Sequence, residues 1–112
     1  MGARSNLGEF EQLVLLAILQ LEDEAFGPAV SKRLEQALGR EVSRGALYSA
    51  LSRLEDKGFL RWSVEAASSE RGGNRNRLFD VTEVGLEILR EARAAQVTLS
   101  EGLESQLERN KR

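Results

Sequence analysis

The side chains best suited to recognise another molecule lie on one predicted helix, from Ser43 to Gly58. Its core-facing stripe consists of three leucines at helical spacing, Leu47, Leu51 and Leu54. The opposite face is small in its middle and basic or hydrogen-bonding at its edges, with Arg44, Gly45, Tyr48, Ser49, Ser52 and Arg53. Arginine guanidinium groups and hydroxyl groups hydrogen-bond to base edges in the major groove of DNA. The pattern favours a surface that reads DNA, although an ordinary solvated helix face has the same composition.

A second group of polar side chains follows in a predicted β-hairpin. Alternating apolar residues predict a strand with Leu60, Trp62 and Val64 inward, and a second strand that starts at Arg77. The glycine- and serine-rich loop between the strands contains Arg71, Asn74 and Arg75, and Arg77 follows at the start of the second strand. Such groups fit an arm that contacts phosphates or the minor groove. A flexible solvated turn is the alternative.

Composition excludes several kinds of active site. The chain has 112 residues with no cysteine and no histidine, which excludes disulfides, thiolate or imidazole metal sites and histidine-dependent nucleophiles. The carboxylates are expected on solvated helix faces, without a nucleophile or cofactor motif beside them. We therefore expect no enzyme, no catalytic residue, no metal and no cofactor. The longest apolar run, Leu13 to Leu19, is too short to cross a bilayer, so we expect a cytoplasmic protein without membrane contact.

Charge is distributed unevenly along the chain. The overall net charge is −2, but residues 40–77 have a net charge of +3, against −3 for residues 1–39 and −2 for residues 78–112. The positive charge is therefore concentrated where the Ser43–Gly58 helix and the basic loop lie. Attraction for phosphate would be restricted to that one surface.

The remaining pattern predicts the elements that position these groups. A first helix covers Glu9 to Leu21, and Gly27-Pro28 opens a second helix that ends at Gly39. The second helix and the Ser43–Gly58 helix form a helix-turn-helix. Residues 22–26 are expected to be a linker. The fold class is mainly α with a small β-hairpin. It comprises a mobile N-terminus at 1–8, a winged helix-turn-helix at 9–82 and a long C-terminal dimerisation helix at 83–112.

Two features predict a homodimer. The first helix is apolar on every side between Leu13 and Leu19. A single small core would cover only part of this apolar surface, so a second chain is expected to cover the rest. A central core helix of a monomer is the alternative. The final helix, capped by Thr82, is expected to run to about Arg109 with a thin heptad-like seam that includes Gly85. The residues expected at the dimer interface are Leu13, Leu16, Leu89, Ala92, Gln96, Leu99 and Leu103.

In their order and spacing these segments resemble the PadR-like family of winged-helix transcriptional regulators. The resemblance extends from Leu7 to about Leu107 and rests on LGEFEQLVLLAIL, FGPAVSKRLEQ, VSRGALYSALSRLEDKGFL and ERGGNRNRLFDVTEVGLEIL. It implies a homodimer that binds a palindromic operator, usually as a repressor. In some members a small-molecule effector or a stress signal releases the DNA, and no effector is identifiable here. One departure is Leu78-Phe79, where such proteins usually have two aromatic residues.

The sequence therefore predicts a sequence-specific regulator whose partners are double-stranded DNA and a second copy of itself. The predicted DNA-binding residues are Ser43, Arg44, Tyr48, Ser49, Arg53, Arg71, Asn74, Arg75 and Arg77, with the helix reading bases and the wing contacting phosphates. A winged-helix module that binds protein rather than DNA is the alternative, and the net acidity supports it. Salt dependence distinguishes the two, because binding to phosphate releases counterions.

Overall fold

Three helices form the first half of the molecule. The computed structural model describes residues 7–64 and 77–109. Helix α1 covers Glu9–Leu21, α2 Gly27–Leu38 and α3 Arg44–Asp56, which confirms the helices predicted from periodicity. Each boundary has a local cause: Pro28 lies in the first turn of α2, Gly39 ends α2 with φ 73°, and the Ser43 hydroxyl accepts from the Ala46 amide at 3.0 Å. Helices α2 and α3 are the predicted helix-turn-helix.

A two-stranded antiparallel hairpin follows α3. Strand β1 covers Leu60–Val64 and β2 covers Arg77–Val81, with Trp62 opposite Phe79. The alternation predicts the inner face of the hairpin correctly near the core but not at its far end. Leu60 and Phe79 are buried, whereas Trp62 is half-buried and Val64 exposed at the far end.

The predicted linker between α1 and α2 has a structural role. Residues Glu22–Glu24 form a 3₁₀ turn, and the carbonyl of the buried Ala25 accepts from the Phe79 amide at 2.9 Å. Phe26 forms a β-bridge with Leu78. The segment therefore links α1 to α2 as expected, and it also pairs with the free edge of β2 and holds the hairpin against the helices, which was not predicted.

The hydrophobic core lies between α1, α2, α3 and the hairpin, and the start of α4 closes it. Its largest fully buried side chains are Leu15, Leu47, Leu54, Val14 and Val30. Burying one such side chain stabilises a fold by about 1.5–3 kcal/mol, so these positions hold α3 in place. Gly85 lets α4 pack closely against the backbone of Phe59. A Cβ at this position would overlap the carbonyl oxygen of Phe59.

The C-terminal helix is shorter than predicted. Helix α4 covers Glu83–Ser100, and a separate α5 covers Glu104–Arg109. Thr82 caps α4 as expected, accepting from the Gly85 amide at 3.0 Å. The helix ends at Ser100 rather than near Arg109, because Gly102 adopts φ 84°, a left-handed conformation that stops a helix. Within the described ranges, no helix is both long and apolar enough to span a membrane.

Candidate nucleic-acid interface

The outer face of α3 is open to solvent. Ser43, Arg44 and Ser49 are all exposed, as are Gly45 and Ser52 on the same face. The side chains in the middle of this face are small, so another surface can approach the helix backbone closely. The face therefore has the shape predicted for a helix that enters a groove.

Tyr48 lies at the edge of this face rather than fully on it. Its side chain is half-buried, and its hydroxyl lies where a Cβ on Gly27 would be, so the ring packs against the start of α2. The guanidinium carbon of Arg44 is 6.0 Å from the ring centroid, the outer limit of a cation–π contact. Tyr48 thus links the first turn of α2 to the first turns of α3.

Arg53 is tied to α1. Its Nε donates to Glu11 Oε2 at 2.9 Å, while 53% of its side chain remains exposed. A bidentate contact with guanine would therefore have to use the two terminal nitrogens of the guanidinium, Nη1 and Nη2. The position of Arg53 in the last turn of α3 makes it the most distant of the predicted helix contacts from the Ser43 end. Its role as a base reader stays a prediction.

Glu11 is the buried anchor of this contact. Only 3% of the residue is exposed, and its carboxylate accepts from the Gly8 amide at 2.8 Å, from Arg53, and from Lys57 at 2.9 Å. Burial raises the pKa of Glu11, but the hydrogen bonds from Gly8, Lys57 and Arg53 outweigh it and hold the pKa below its ordinary value. The carboxylate therefore stays ionised and joins the start of α1 to the end of α3.

The hairpin forms a second link to α3. The guanidinium carbon of Arg77 lies 4.5 Å from the centroid of the Trp62 ring, within cation–π range. The Trp62 indole N–H donates to Glu55 Oε2 at 2.9 Å. Arg77 is exposed and stays a predicted phosphate contact. The other predicted wing contacts, Arg71, Asn74 and Arg75, lie outside the described residues.

The predicted dimer residues fall into three groups. Leu89 is only 2% exposed and lies in the core of its own chain, so it was wrongly assigned to a surface between chains. Leu13 and Leu16 are half-buried and line a groove of about 550 Å³ that also includes Leu19, Leu38 and Arg93. Nearer the C-terminus, Ala92 is half-buried, and Gln96, Leu99 and Leu103 are exposed.

Sequence reasoning missed Glu11, Glu55 and the link through Trp62. It took Trp62 only as an inward-facing residue of the hairpin. A signal was present in Arg53 and Lys57, two cations one turn apart on the same helix face, which require a nearby anion when that face packs. Among the described residues, no group of three or more carboxylates could hold a metal ion.

Comparison with known proteins identifies the family. The model of the Transcriptional regulator PadR-like family matches residues 15–91. A PadR family transcriptional regulator from Eggerthella lenta is 31% identical, with a TM-score of 0.64 over 88% of this chain and 83% of that one. A PadR-like regulator from Bacillus cereus is 26% identical, with a TM-score of 0.71 over 88% and 90%.

A third solved structure resembles a larger share of this chain than the first two do. A chain of the hsRosR-S1 complex structure has a TM-score of 0.70 over 97% of this chain and 88% of that one, at 24% identity. No curated protein matches significantly. The family match covers more than half of the chain and includes the helix-turn-helix, the hairpin and the start of α4. The chain therefore belongs to the PadR-like family of transcriptional regulators.

Proposed function

We propose that the protein regulates transcription by binding a palindromic operator as a homodimer, and that it acts as a repressor. The observation that carries the proposal is the exposed outer face of α3, which holds hydroxyls, a glycine and an arginine in one strip. Side chains of these kinds hydrogen-bond to base edges, and the small residues allow the close approach that a groove requires. In this proposal Ser49, Arg53 and Arg44 on α3 read bases, while Arg77 of the hairpin contacts phosphates.

A second copy is needed for useful specificity. One recognition helix contacts only a few base pairs, and each mismatched pair costs only about 1–3 kcal/mol. Two helices related by a two-fold axis double the site and place its halves about 34 Å apart, one turn of DNA. The proposal therefore predicts an inverted repeat as the binding site.

The surfaces for pairing lie on opposite parts of the chain. The groove beside Leu13 and Leu16 is open and lined mainly by leucines and alanines. The C-terminal region presents exposed apolar side chains, of which Leu99 is 77% exposed. A two-fold arrangement would let the C-terminal side chains of each copy enter the groove of the other, which covers both surfaces at once.

The DNA-binding proposal is tested by selecting bound fragments from a random pool of duplexes. Enrichment of an inverted repeat, with affinity that falls steeply as salt rises, would support it. Absence of enrichment, with weak binding that salt does not change, would favour the alternative module that binds protein. A reporter under the enriched site then tests the sign of regulation, since expression that rises with the protein would contradict repression.

The dimer proposal is tested with Leu99→Glu. Leu99 makes little contact with its own core, so a charge there is expected to abolish pairing while the domain stays folded. Sedimentation and circular dichroism measure the two effects. Thr98→Glu is the matched control, because it places the same charge one residue away on an exposed position of α4. A Leu99→Glu protein that still sediments as a dimer and binds the inverted repeat would place the interface elsewhere.

A further inference from the structure

The hairpin is joined to α3 by a chain of three side chains. Glu55 lies in the last turn of α3, Trp62 in the middle of β1 and Arg77 at the start of β2. The Glu55 carboxylate accepts from the Trp62 indole at 2.9 Å, and the Arg77 guanidinium lies over the same indole at 4.5 Å. Glu55 therefore reaches Arg77 through a single aromatic ring.

The hairpin register explains why these groups meet. Trp62 is paired with Phe79, and Arg77 is paired with Val64, two residues farther along β1. Trp62 and Arg77 are thus diagonal neighbours on one face of the sheet, a separation that an aromatic and a long side chain can span. The position of the ring, in turn, is fixed by its hydrogen bond to α3.

We propose that Trp62 and Glu55 are positioning residues for DNA binding, which orient Arg77, at the loop end of the hairpin, relative to α3. The inference rests on the proposed DNA-binding function. An arginine that contacts phosphate fixes the register of the protein on the duplex only if its guanidinium is held in place relative to the helix in the groove. Without the ring, Arg77 keeps its charge but loses its orientation.

Glu55 provides a matched pair of variants, because Glu55→Gln and Glu55→Ala both remove the charge and only the first keeps an oxygen that can accept from Trp62. Trp62 is the only tryptophan in the chain, so its fluorescence reports the contact directly. Quenching by acrylamide is expected to become stronger in Glu55→Ala and in Arg77→Ala, while Glu55→Gln retains the quenching of the original protein. Equal quenching in Glu55→Ala and Glu55→Gln would overturn the link itself.

DNA binding is measured by anisotropy with a fluorescein-labelled duplex of mixed sequence, since phosphate contacts need no operator. Glu55→Ala is expected to bind about threefold to fivefold more weakly than Glu55→Gln, the range for one hydrogen bond or cation–π contact at an exposed site. The difference should disappear when both changes are made in an Arg77→Ala background. Equal affinities of the two variants, or a difference that persists without Arg77, would overturn the positioning role. Failure of the unsubstituted protein to bind any duplex would instead overturn the proposed function. The quenching experiment would still test the contact between Glu55 and Trp62, because it does not depend on DNA.

Discussion

Replacing Glu11 by glutamine tests whether its buried carboxylate holds α3 in place. The substitution keeps the shape of the side chain but removes its charge and one of its two acceptor oxygens. Gly8, Arg53 and Lys57 all donate to the carboxylate at 2.8–2.9 Å, so glutamine cannot satisfy all three donors. We expect the folded protein to lose stability and the end of α3 to become less firmly held against α1.

The magnitude follows from the burial of the three partners. Removing one member of a fully buried ion pair costs about 3–5 kcal/mol, and a hydrogen bond to a charged group contributes about 1.5–3 kcal/mol. Here 53% of the Arg53 side chain is exposed and 25% of the Lys57 side chain, so both cations regain some hydration when the carboxylate is lost. We therefore expect Glu11→Gln to lower the free energy of unfolding by about 2 kcal/mol, near the lower end of these ranges.

Urea unfolding at matched protein concentration measures this difference, and pH identifies its origin. Because the pKa of Glu11 is lowered on folding, its charge stabilises the protein above the ordinary value of 4.5, and this stabilisation is lost as pH falls through the lowered pKa. The gap between the original protein and Glu11→Gln should be constant near neutral pH and shrink below about pH 4.5. Glu9→Gln is the control, since Glu9 is an exposed acid on the same turn, and we expect it to change stability by about 0.5 kcal/mol at most.

A gap that stays the same at acid pH would refute the reasoning, because protonated glutamate and glutamine should then behave alike. A second check uses Arg53→Ala in both backgrounds. If Glu11 and Arg53 interact as the structure shows, the two losses will not add, with a coupling of about 1 kcal/mol. Simple additivity would mean that the contact contributes nothing to stability.

Three further outcomes are expected. If Arg53 reads a base, Arg53→Ala should weaken binding to the selected site by about 1–3 kcal/mol and relax one position in each half-site; an equal loss on random DNA would make it a phosphate contact or a support for α3. Replacing Arg75 and Arg77 together by alanine should lower affinity for all sequences and reduce the salt slope by about two units, and an unchanged slope would contradict the phosphate role. Gly85→Ala should lower the free energy of unfolding by about 1–3 kcal/mol in thermal melts, because its methyl would overlap the Phe59 carbonyl; an unchanged melting temperature would show that α4 shifts freely.

The helices were predictable because their signals are local. The leucines of α3 recur at helical spacing, and Ser43 and Gly39 are of the residue types that begin and end helices. The outer face of α3 could likewise be predicted, since whatever lies opposite a buried stripe must face solvent. Those inferences need no knowledge of how distant segments meet.

The errors concern long-range contacts. Nothing in residues 22–26 indicates that Ala25 would accept a hydrogen bond from Phe79, more than fifty residues away. The same limit placed Leu89 at a dimer surface, because a heptad pattern indicates which residues share a face but not what covers that face. Gly102 was a different case: its residue type was a visible stop signal, and the periodicity of the surrounding leucines was given too much weight.

Helix α1 connects the two halves of the proposed function. Glu11 faces the end of α3, while the next two residues face the other way, with Gln12 accepting from Gln96 of α4 at 3.2 Å and Leu13 lining the open groove. If a second copy fills that groove, less than one turn of α1 separates the dimer contact from the ion pair that holds the recognition helix. The distance between the two recognition helices would then be set by a rigid element rather than by a loop. For that reason we expect changes on either side of α1 to alter the preferred spacing of the half-sites, whereas changes on the outer face of α3 alter their sequence.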